Sequence, residues 1–168
     1  MKMKASARTR TLAIAVAAGS LVAVPFATPA VAASSASCSK VTTPPVAAGK
    51  KGAVTFATCT PAKLSAGGTA TFTSPPKGTN KGKFVFTLAW KGGAGTTLGL
   101  VSYGLAKGNG NCAKGTTRIT ITGKVTGGTG AAAAIIKANE AITGSTCAVT
   151  TGAKLGSSSL EPKTAFKL

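Results

Sequence analysis

The sequence predicts an all-β fold, an antiparallel β-sandwich with Greek-key-like connections and at most one short helix. Two observations lead to this fold class. Apolar and polar residues alternate with a period of two in several short segments, which is the pattern of strands that bury one face. Clusters of Gly, Pro and Asn separate these segments at intervals typical of antiparallel sandwiches and barrels.

The clearest strand is predicted at 83–90. Four large apolar residues share one of its faces: Phe84, Phe86, Leu88 and Trp90. An aromatic surface that stacks on sugars is the alternative for Phe86 and Trp90, with Tyr103 beside them. Strict alternation along the strand favours core positions for Phe86 and Trp90.

The remaining segments give weaker signals. A glycine-rich turn at 92–95 leads into a hairpin partner at 96–103. One short helix is expected within the alanine-rich segment 131–141. The other predicted strands lie at 53–59, 69–73, 117–125, 142–150 and 160–168.

Residues 1–33 are typical of a secretory signal peptide. A basic start precedes an apolar stretch at 12–24, and small residues that suit signal cleavage follow it. The stretch of 13 residues is shorter than the roughly 20 that a membrane-spanning helix needs. We therefore expect residues 34–168 to form one secreted or extracellular β-domain, with no transmembrane segment after cleavage.

The four cysteines, an even number in an exported chain, predict two disulfide bonds. Three pairings are possible, and we favour Cys38–Cys59 and Cys112–Cys147 because each joins neighbours in sequence. A metal site is disfavoured, because the cysteines are far apart in sequence and the chain has no histidine.

Positive charge dominates the predicted mature domain. Four of the 20 Lys and Arg residues lie in the first 33 residues, which leaves 16 basic and two acidic residues and a formal charge of +14. This charge predicts attraction to polyanions such as anionic wall polymers. The densest basic patch gives the candidate polyanion contacts: Lys77, Lys81 and Lys83.

The kind of basic residue limits the classes of polyanion that the domain is expected to bind. Arg118 is the one arginine after the signal segment, whereas specific recognition of bases or phosphates favours arginine. We therefore expect no specific nucleic-acid binding. Solubility is an equally good explanation of the lysines, because charged side chains on a sheet prevent edge-to-edge aggregation. The sign and size of the charge do not separate the two interpretations.

The composition argues against an enzyme. The chain has no histidine and no aspartate, and its two acids, Glu140 and Glu161, stand alone in sequence. Glu161 is expected to pair with a nearby lysine. We predict no catalytic residue, no cofactor and no metal ligand.

Two short motifs resemble chemical signatures by chance. Ser-x-x-Lys occurs at Ser37–Lys40 and at Ser74–Lys77, without the companion motifs of serine acyltransferases. The glycine-rich segment 127–130 lacks the ending of a phosphate-binding loop, and we expect a turn there.

The segment 112–130 and Leu160-Glu161-Pro162 resemble small exported proteins of high-GC Gram-positive bacteria, the actinobacteria. This resemblance covers about the C-terminal third of the chain. It implies export and a β-fold, and the group has no assigned activity that would add a site residue.

Together these observations predict a secreted, non-enzymatic basic β-domain that binds anionic cell-envelope or extracellular polymers. The alternative is a cationic effector or inhibitor that acts on other cells or on a secreted enzyme. Membrane activity would need an amphipathic face, and no helix in the sequence provides one. Enzyme inhibition would need a rigid exposed loop, for which 108–112 is the candidate.

Overall fold

The fold is built almost entirely from β-strands. The computed structural model describes residues 35–47, 49–73, 81–151 and 154–168, so the predicted signal peptide lies outside the described residues. One short helix, α1, spans Gly130–Ile135. The strands are β1 (Ser37–Thr43), β2 (Val46–Ala47), β3 (Lys51–Thr60), β4 (Gly68–Thr73), β5 (Lys81–Trp90), β6 (Gly95–Leu105), β7 (Thr116–Thr129), β8 (Ala141–Thr151), β9 (Lys154–Leu160) and β10 (Phe166–Lys167).

Eight of these strands close into an antiparallel barrel. Each strand from β3 to β8 pairs with the next one along the chain. The first strand, β1, pairs with β3 on one side and with β9 on the other, where Thr42 lies opposite Ser159. Closure leaves these strands without a long free edge. The short strands extend this ring, with β2 beside β9 and β10 between β1 and β8.

The predicted β-sandwich with Greek-key-like connections is wrong. Inside–outside alternation is the same in a sandwich and in a barrel, because both architectures bury one face of every strand. The distinction depends on whether the first strand meets the last long strand. Pairing of β1 with β9 joins residues more than 100 positions apart, and the local pattern contains no signal for it.

Glycines on the inner face allow large side chains from neighbouring strands to fill the barrel. A Cβ atom at Gly82 would lie 2.6 Å from the hydroxyl oxygen of Tyr103, its partner on β6. Gly99 leaves room in the same way for the buried ring of Phe86. The barrel interior is therefore occupied by side chains.

One end of the barrel is covered by short helical segments. Helix α1 packs against β6, β7 and the 3-10 turn Ala62–Leu64. Leu64 and Ala132 from these segments are at most 1% exposed, and they join the core beside Trp90. We call this the capped end of the barrel.

The two disulfide bonds have the predicted pairing. Cys38 and Cys59 are direct partners on β1 and β3, and both are buried. Cys112 precedes β7 and bonds Cys147 on β8, with 5.5 Å between their Cα atoms. The second disulfide thus fixes the β6–β7 loop to the barrel wall.

Most predicted strands are confirmed, with extensions of one to four residues at their ends. The exception is 160–168, because β9 ends at Leu160 and only Phe166–Lys167 is extended after it. Strands β1, β2 and β9 were not predicted. The short helix falls within the expected alanine-rich segment.

Candidate functional site

Of the three candidate polyanion contacts, the structure describes Lys81 and Lys83. Lys81 and Lys83 are both exposed and point to the outer face of β5. Across the ladder they face Gly104 and Ser102 of β6. Lys77 lies outside the described residues. The structure therefore places two of the three lysines on one outer surface of the barrel.

Aliphatic side chains continue this surface. Val85 follows Lys83 on the same face of β5 and is 66% exposed, and its cross-strand partner Leu100 is 47% exposed. Leu100 in turn lies opposite Lys124, an exposed residue of β7. Leu98 also belongs to this surface, which we call the lysine–aliphatic face. Its members are Lys81, Lys83, Val85, Leu98, Leu100 and Lys124.

Sequence reasoning missed the aliphatic part of this face. The signal was present, because the alternation that turns Val101 inward also turns its two neighbours outward. A search for amphipathic helices does not detect such a surface. In a closed barrel the outer wall of a strand pair provides one as well.

Both acidic residues are buried and bonded to other parts of the chain. Glu140 is 4% exposed, and its carboxylate accepts hydrogen bonds from the backbone N–H and the hydroxyl of Ser35 at 2.8 and 2.6 Å. The backbone N–H of Lys137 donates to the other oxygen at 2.7 Å. These contacts tie the first described residue to the turn before β8.

Glu161 forms an ion pair with Arg118 of β7. It is 2% exposed, and it accepts hydrogen bonds from Arg118 Nε at 2.7 Å and from the backbone N–H of Asn111 at 2.8 Å. These contacts differ from the expected pairing with a nearby lysine. Arg118 also donates to the hydroxyl of Ser145. Both hydrogen bonds come from the Nε–H of Arg118, whose side chain is 29% exposed.

The surroundings of Glu161 stabilise its ionised form. The backbone N–H of Asn111, the hydroxyl of Ser145 and the guanidinium of Arg118 together lower the pKa of Glu161 from 4.5 to about 2, while burial opposes the change. Glu161 is therefore charged at neutral pH. Its charge is matched locally by the one arginine of the predicted mature domain.

The lysines with described side chains differ from the two glutamates in being exposed. None of them forms an ion pair within the described part of the chain. Because both glutamates of the sequence are buried, the acidic side chains bring little negative charge to the outer surface. The exposed lysines are Lys40, Lys50, Lys51, Lys63, Lys81, Lys83, Lys91, Lys107, Lys114, Lys124, Lys137, Lys163 and Lys167.

The Ser-x-x-Lys motifs form no nucleophile–base pair that the structure describes. Ser37 and Lys40 lie three residues apart on β1, and no hydrogen bond joins their side chains in the described residues. The hydroxyl of Ser37 bonds that of Thr60 at 2.9 Å. The second motif, Ser74–Lys77, falls outside the described residues.

The glycine-rich segment 127–130 differs from the expected turn. Its first three residues continue β7, and Gly130 begins α1.

The aromatic residues considered for sugar stacking lie inside the barrel. Trp90 and Phe86 are each 5% exposed, and the Trp90 ring N–H donates to the hydroxyl of Thr97 at 2.8 Å. Tyr103 is half-buried beside Phe84, and burial raises the pKa of its hydroxyl. The core interpretation of Phe86 and Trp90 is confirmed.

A groove of about 530 Å³ lies elsewhere on the outer wall, where β1, β9 and β8 run side by side. We call it the hydroxyl groove, because six of its lining residues carry hydroxyl groups. Its lining residues are Thr42, Thr43, Pro44, Ala113, Thr116, Cys147, Val149, Ser157, Ser158, Ser159 and Pro162. The Cys112–Cys147 disulfide holds the wall that contains Ala113.

Within 35–47, 49–73, 81–151 and 154–168, no three His, Cys, Asp or Glu residues come together as a metal site would require. The same residues contain no helix long and apolar enough to cross a membrane. No protein-family model, curated protein or solved structure matches the chain.

Proposed function

We propose that this protein is a secreted, non-enzymatic basic β-domain that binds anionic polymers of the cell envelope or the extracellular space. One observation carries the proposal. All lysines with described side chains are exposed, while both glutamates are buried in contacts of their own. A surface with many cations and few anions attracts a polymer of repeated negative charge.

The distribution of charge favours a polymer over a single small anion. Lysines occur on strands, turns and loops around the barrel, so a long ligand has many places to make contact. Arg118 is engaged by Glu161 and Ser145. The proposal therefore assigns the contacts with the polymer to lysines and not to Arg118.

The test compares two charge-matched triple variants. Neutralising Lys77, Lys81 and Lys83 to Gln is expected to weaken binding to an anionic wall polymer and to flatten its salt dependence. The reason is that fewer counterions are released when fewer lysines contact the polymer. The measurement is the dissociation constant of the oxidised protein between about 0.05 and 0.2 M salt, a range in which screening changes strongly.

The control variant carries Lys63→Gln, Lys91→Gln and Lys167→Gln. It has the same net charge, and its substitutions lie near the capped end of the barrel. We expect it to retain more affinity than the first variant. Equal affinity and equal salt dependence in the first variant and the unaltered protein would contradict the assignment of Lys77, Lys81 and Lys83.

A cationic effector that acts on anionic lipid surfaces is the second candidate function. The specific observation in its favour is the lysine–aliphatic face, where exposed Val85 and Leu100 lie side by side between lysines. Such a surface combines apolar contact with electrostatic attraction to acidic headgroups. Leakage of anionic vesicles, absent with neutral ones, would favour this function.

Inhibition of a secreted enzyme is the other form of this alternative, and the loop 108–112 is its candidate contact. Its base is fixed by the disulfide of Cys112, and the Asn109 side chain donates to the carbonyl of Cys112 at 2.9 Å. The residues before Cys112 are exposed. An inhibition assay against secreted proteases tests this alternative directly.

A further inference from the structure

The hydroxyl groove differs from the rest of the barrel surface because hydroxyl groups stand side by side in a recess. Thr42 on β1 and Ser159 on β9 are direct cross-strand partners, and both are exposed. Ser157 is also exposed, and it lines the same groove beside a register irregularity between β8 and β9. The strand spacing of about 4.8 Å places these groups as a small array of donors and acceptors.

These hydroxyl groups are available to a ligand. The side chains of Thr42, Ser157 and Ser159 make no hydrogen bond to another group in the described part of the chain. Thr116, at the edge of the groove, donates to the carbonyl of Ala113 at 2.6 Å and keeps its lone pairs as acceptors. A polyhydroxylated ligand could exchange hydrogen bonds with all four.

Lysines stand near the groove on different segments of the chain. Lys40 precedes Thr42 by two residues, Lys114 follows Ala113, and Lys163 follows Pro162, and all three lysines are exposed. The nearest acid in sequence, Glu161, is buried and paired with Arg118. The surroundings of the groove are therefore positive.

We propose that the hydroxyl groove binds an anionic, polyhydroxylated unit of the polymer, such as a polyol phosphate or an acidic sugar. The hydroxyl groups of the groove bond those of the unit, and Lys40, Lys114 and Lys163 attract its phosphate or carboxylate. This inference rests on the proposed function and adds a short-range recognition site to it. No aromatic side chain lines the groove, so recognition depends on hydrogen bonds and charge.

The experiment measures binding of the oxidised protein to four probes at 0.15 M salt, where diffuse attraction is largely screened. Oligomers of glycerol phosphate and of galacturonate supply the two anionic groups together with hydroxyls. Inorganic polyphosphate supplies charge without hydroxyls, and an uncharged galactose oligomer supplies hydroxyls without charge.

The test variant combines Thr42→Val and Ser159→Ala, which remove two hydroxyls from exposed positions. We expect about tenfold or greater weakening towards glycerol phosphate or galacturonate oligomers, because two hydrogen bonds are lost. Affinity for polyphosphate is expected to stay the same. The control variant carries Thr71→Val and Thr87→Val, an exposed cross-strand pair on β4 and β5, and is expected to bind all probes as the unaltered protein does.

A second measurement does not depend on the variants. Amide chemical shifts of the unaltered protein are expected to change on β1 and β9 around Thr42 and Ser159 when the preferred oligomer is added. If both variants bind every probe equally and no shifts change there, the groove is not the binding site. Retained binding to polyphosphate and to anionic polymers would then leave the proposed function standing, and loss of these too would overturn it.

Discussion

The lysine–aliphatic face and the hydroxyl groove lie on the outer wall of the same barrel, yet they present different chemistry. On β5–β7, Lys83 and Lys124 stand beside exposed Val85 and Leu100 on an outer surface of the sheet. On β1, β9 and β8, serine and threonine hydroxyls line a groove next to a disulfide. The first surface offers charge and apolar contact, and the second offers directional hydrogen bonds in a recess.

The two surfaces are therefore suited to different tasks: charge attracts anionic partners, and the hydroxyl groups distinguish one ligand from another. Charge acts over a distance and distinguishes weakly among anionic partners. Hydrogen bonds act at short range and leave unmatched groups unsatisfied, so they discriminate more strongly between ligands. The closed barrel allows both, because its inward positions form the core while its outward positions are free to differ from strand to strand.

Removing the disulfide beside the groove is expected to have the largest effect. Replacing Cys112 and Cys147 together with Ala should lower the free energy of unfolding by about 4 kcal/mol in the chain-entropy model for a loop of 35 residues. The wall of the groove that contains Ala113 should also lose its anchor. Chemical denaturation gives the stability, and binding to the preferred oligomer gives the effect on the groove.

The other disulfide is the matched control. Joint replacement of Cys38 and Cys59 with Ala removes a bond with a separation of 21 residues and should cost about 3 kcal/mol. It does not touch the β6–β7 loop. Comparable loss of groove binding in both double variants, measured under conditions where each remains folded, would show that the Cys112–Cys147 bond has no specific role there.

The Glu161 ion pair is expected to make stability depend on acidity. Because the pKa of Glu161 falls from 4.5 to about 2 on folding, the unfolded chain binds more protons between these values. The contribution of Glu161 is fully present above about pH 4.5 and disappears as the pH falls through about 2. Denaturation curves from pH 7 to pH 2 should therefore converge for the unaltered protein and Glu161→Gln.

Arg118→Lys sharpens the same comparison. Lysine keeps the charge but has no donor at the position of Nε, the atom that contacts both Glu161 and Ser145. We expect stability between those of the unaltered protein and Glu161→Gln at pH 7. A gap between the unaltered protein and Glu161→Gln that stays constant down to pH 2 would contradict the lowered pKa.

The smallest expected effect concerns the lysine–aliphatic face. Substitution of Val85 and Leu100 with Ser should leave polymer binding unchanged, since both side chains are already exposed and uncharged. It should reduce binding to anionic vesicles by about tenfold if the face contacts lipid, because apolar contact area is lost. Vesicle co-sedimentation measures this, and Thr71→Ser with Thr87→Ser serves as the control on neighbouring strands.

A strand was predictable from the sequence where its apolar and polar residues alternate regularly. On β5, Phe86 and Trp90 identify the inward face because they are large and regularly spaced. Strand β9 consists largely of Gly and Ser before Leu160, and β1 interrupts its alternation near Ser39. Neither carries a clear period of two, and neither was predicted as a strand.

Barrel closure and the groove were missed for the same reason. Both depend on the pairing of β1 with β9, which places Thr42 beside Ser159. Isolated serines and threonines in a sequence rich in both give no sign of such an array. By contrast, the disulfide pairing was predictable because each bond joins cysteines that are neighbours in sequence. The contact of Arg118 with Glu161 was not predictable in this way, because the two residues are 43 positions apart in sequence.

The most direct test of polyanion binding is retention of the oxidised protein on purified anionic wall polymer, heparin and a neutral glycan across a salt gradient. The proposed function predicts no retention on the neutral glycan and retention on at least one anionic support that survives about 0.15 M salt, where diffuse attraction is largely screened. Release from every anionic support at low salt would contradict it. In that case the exposed lysines would serve solubility.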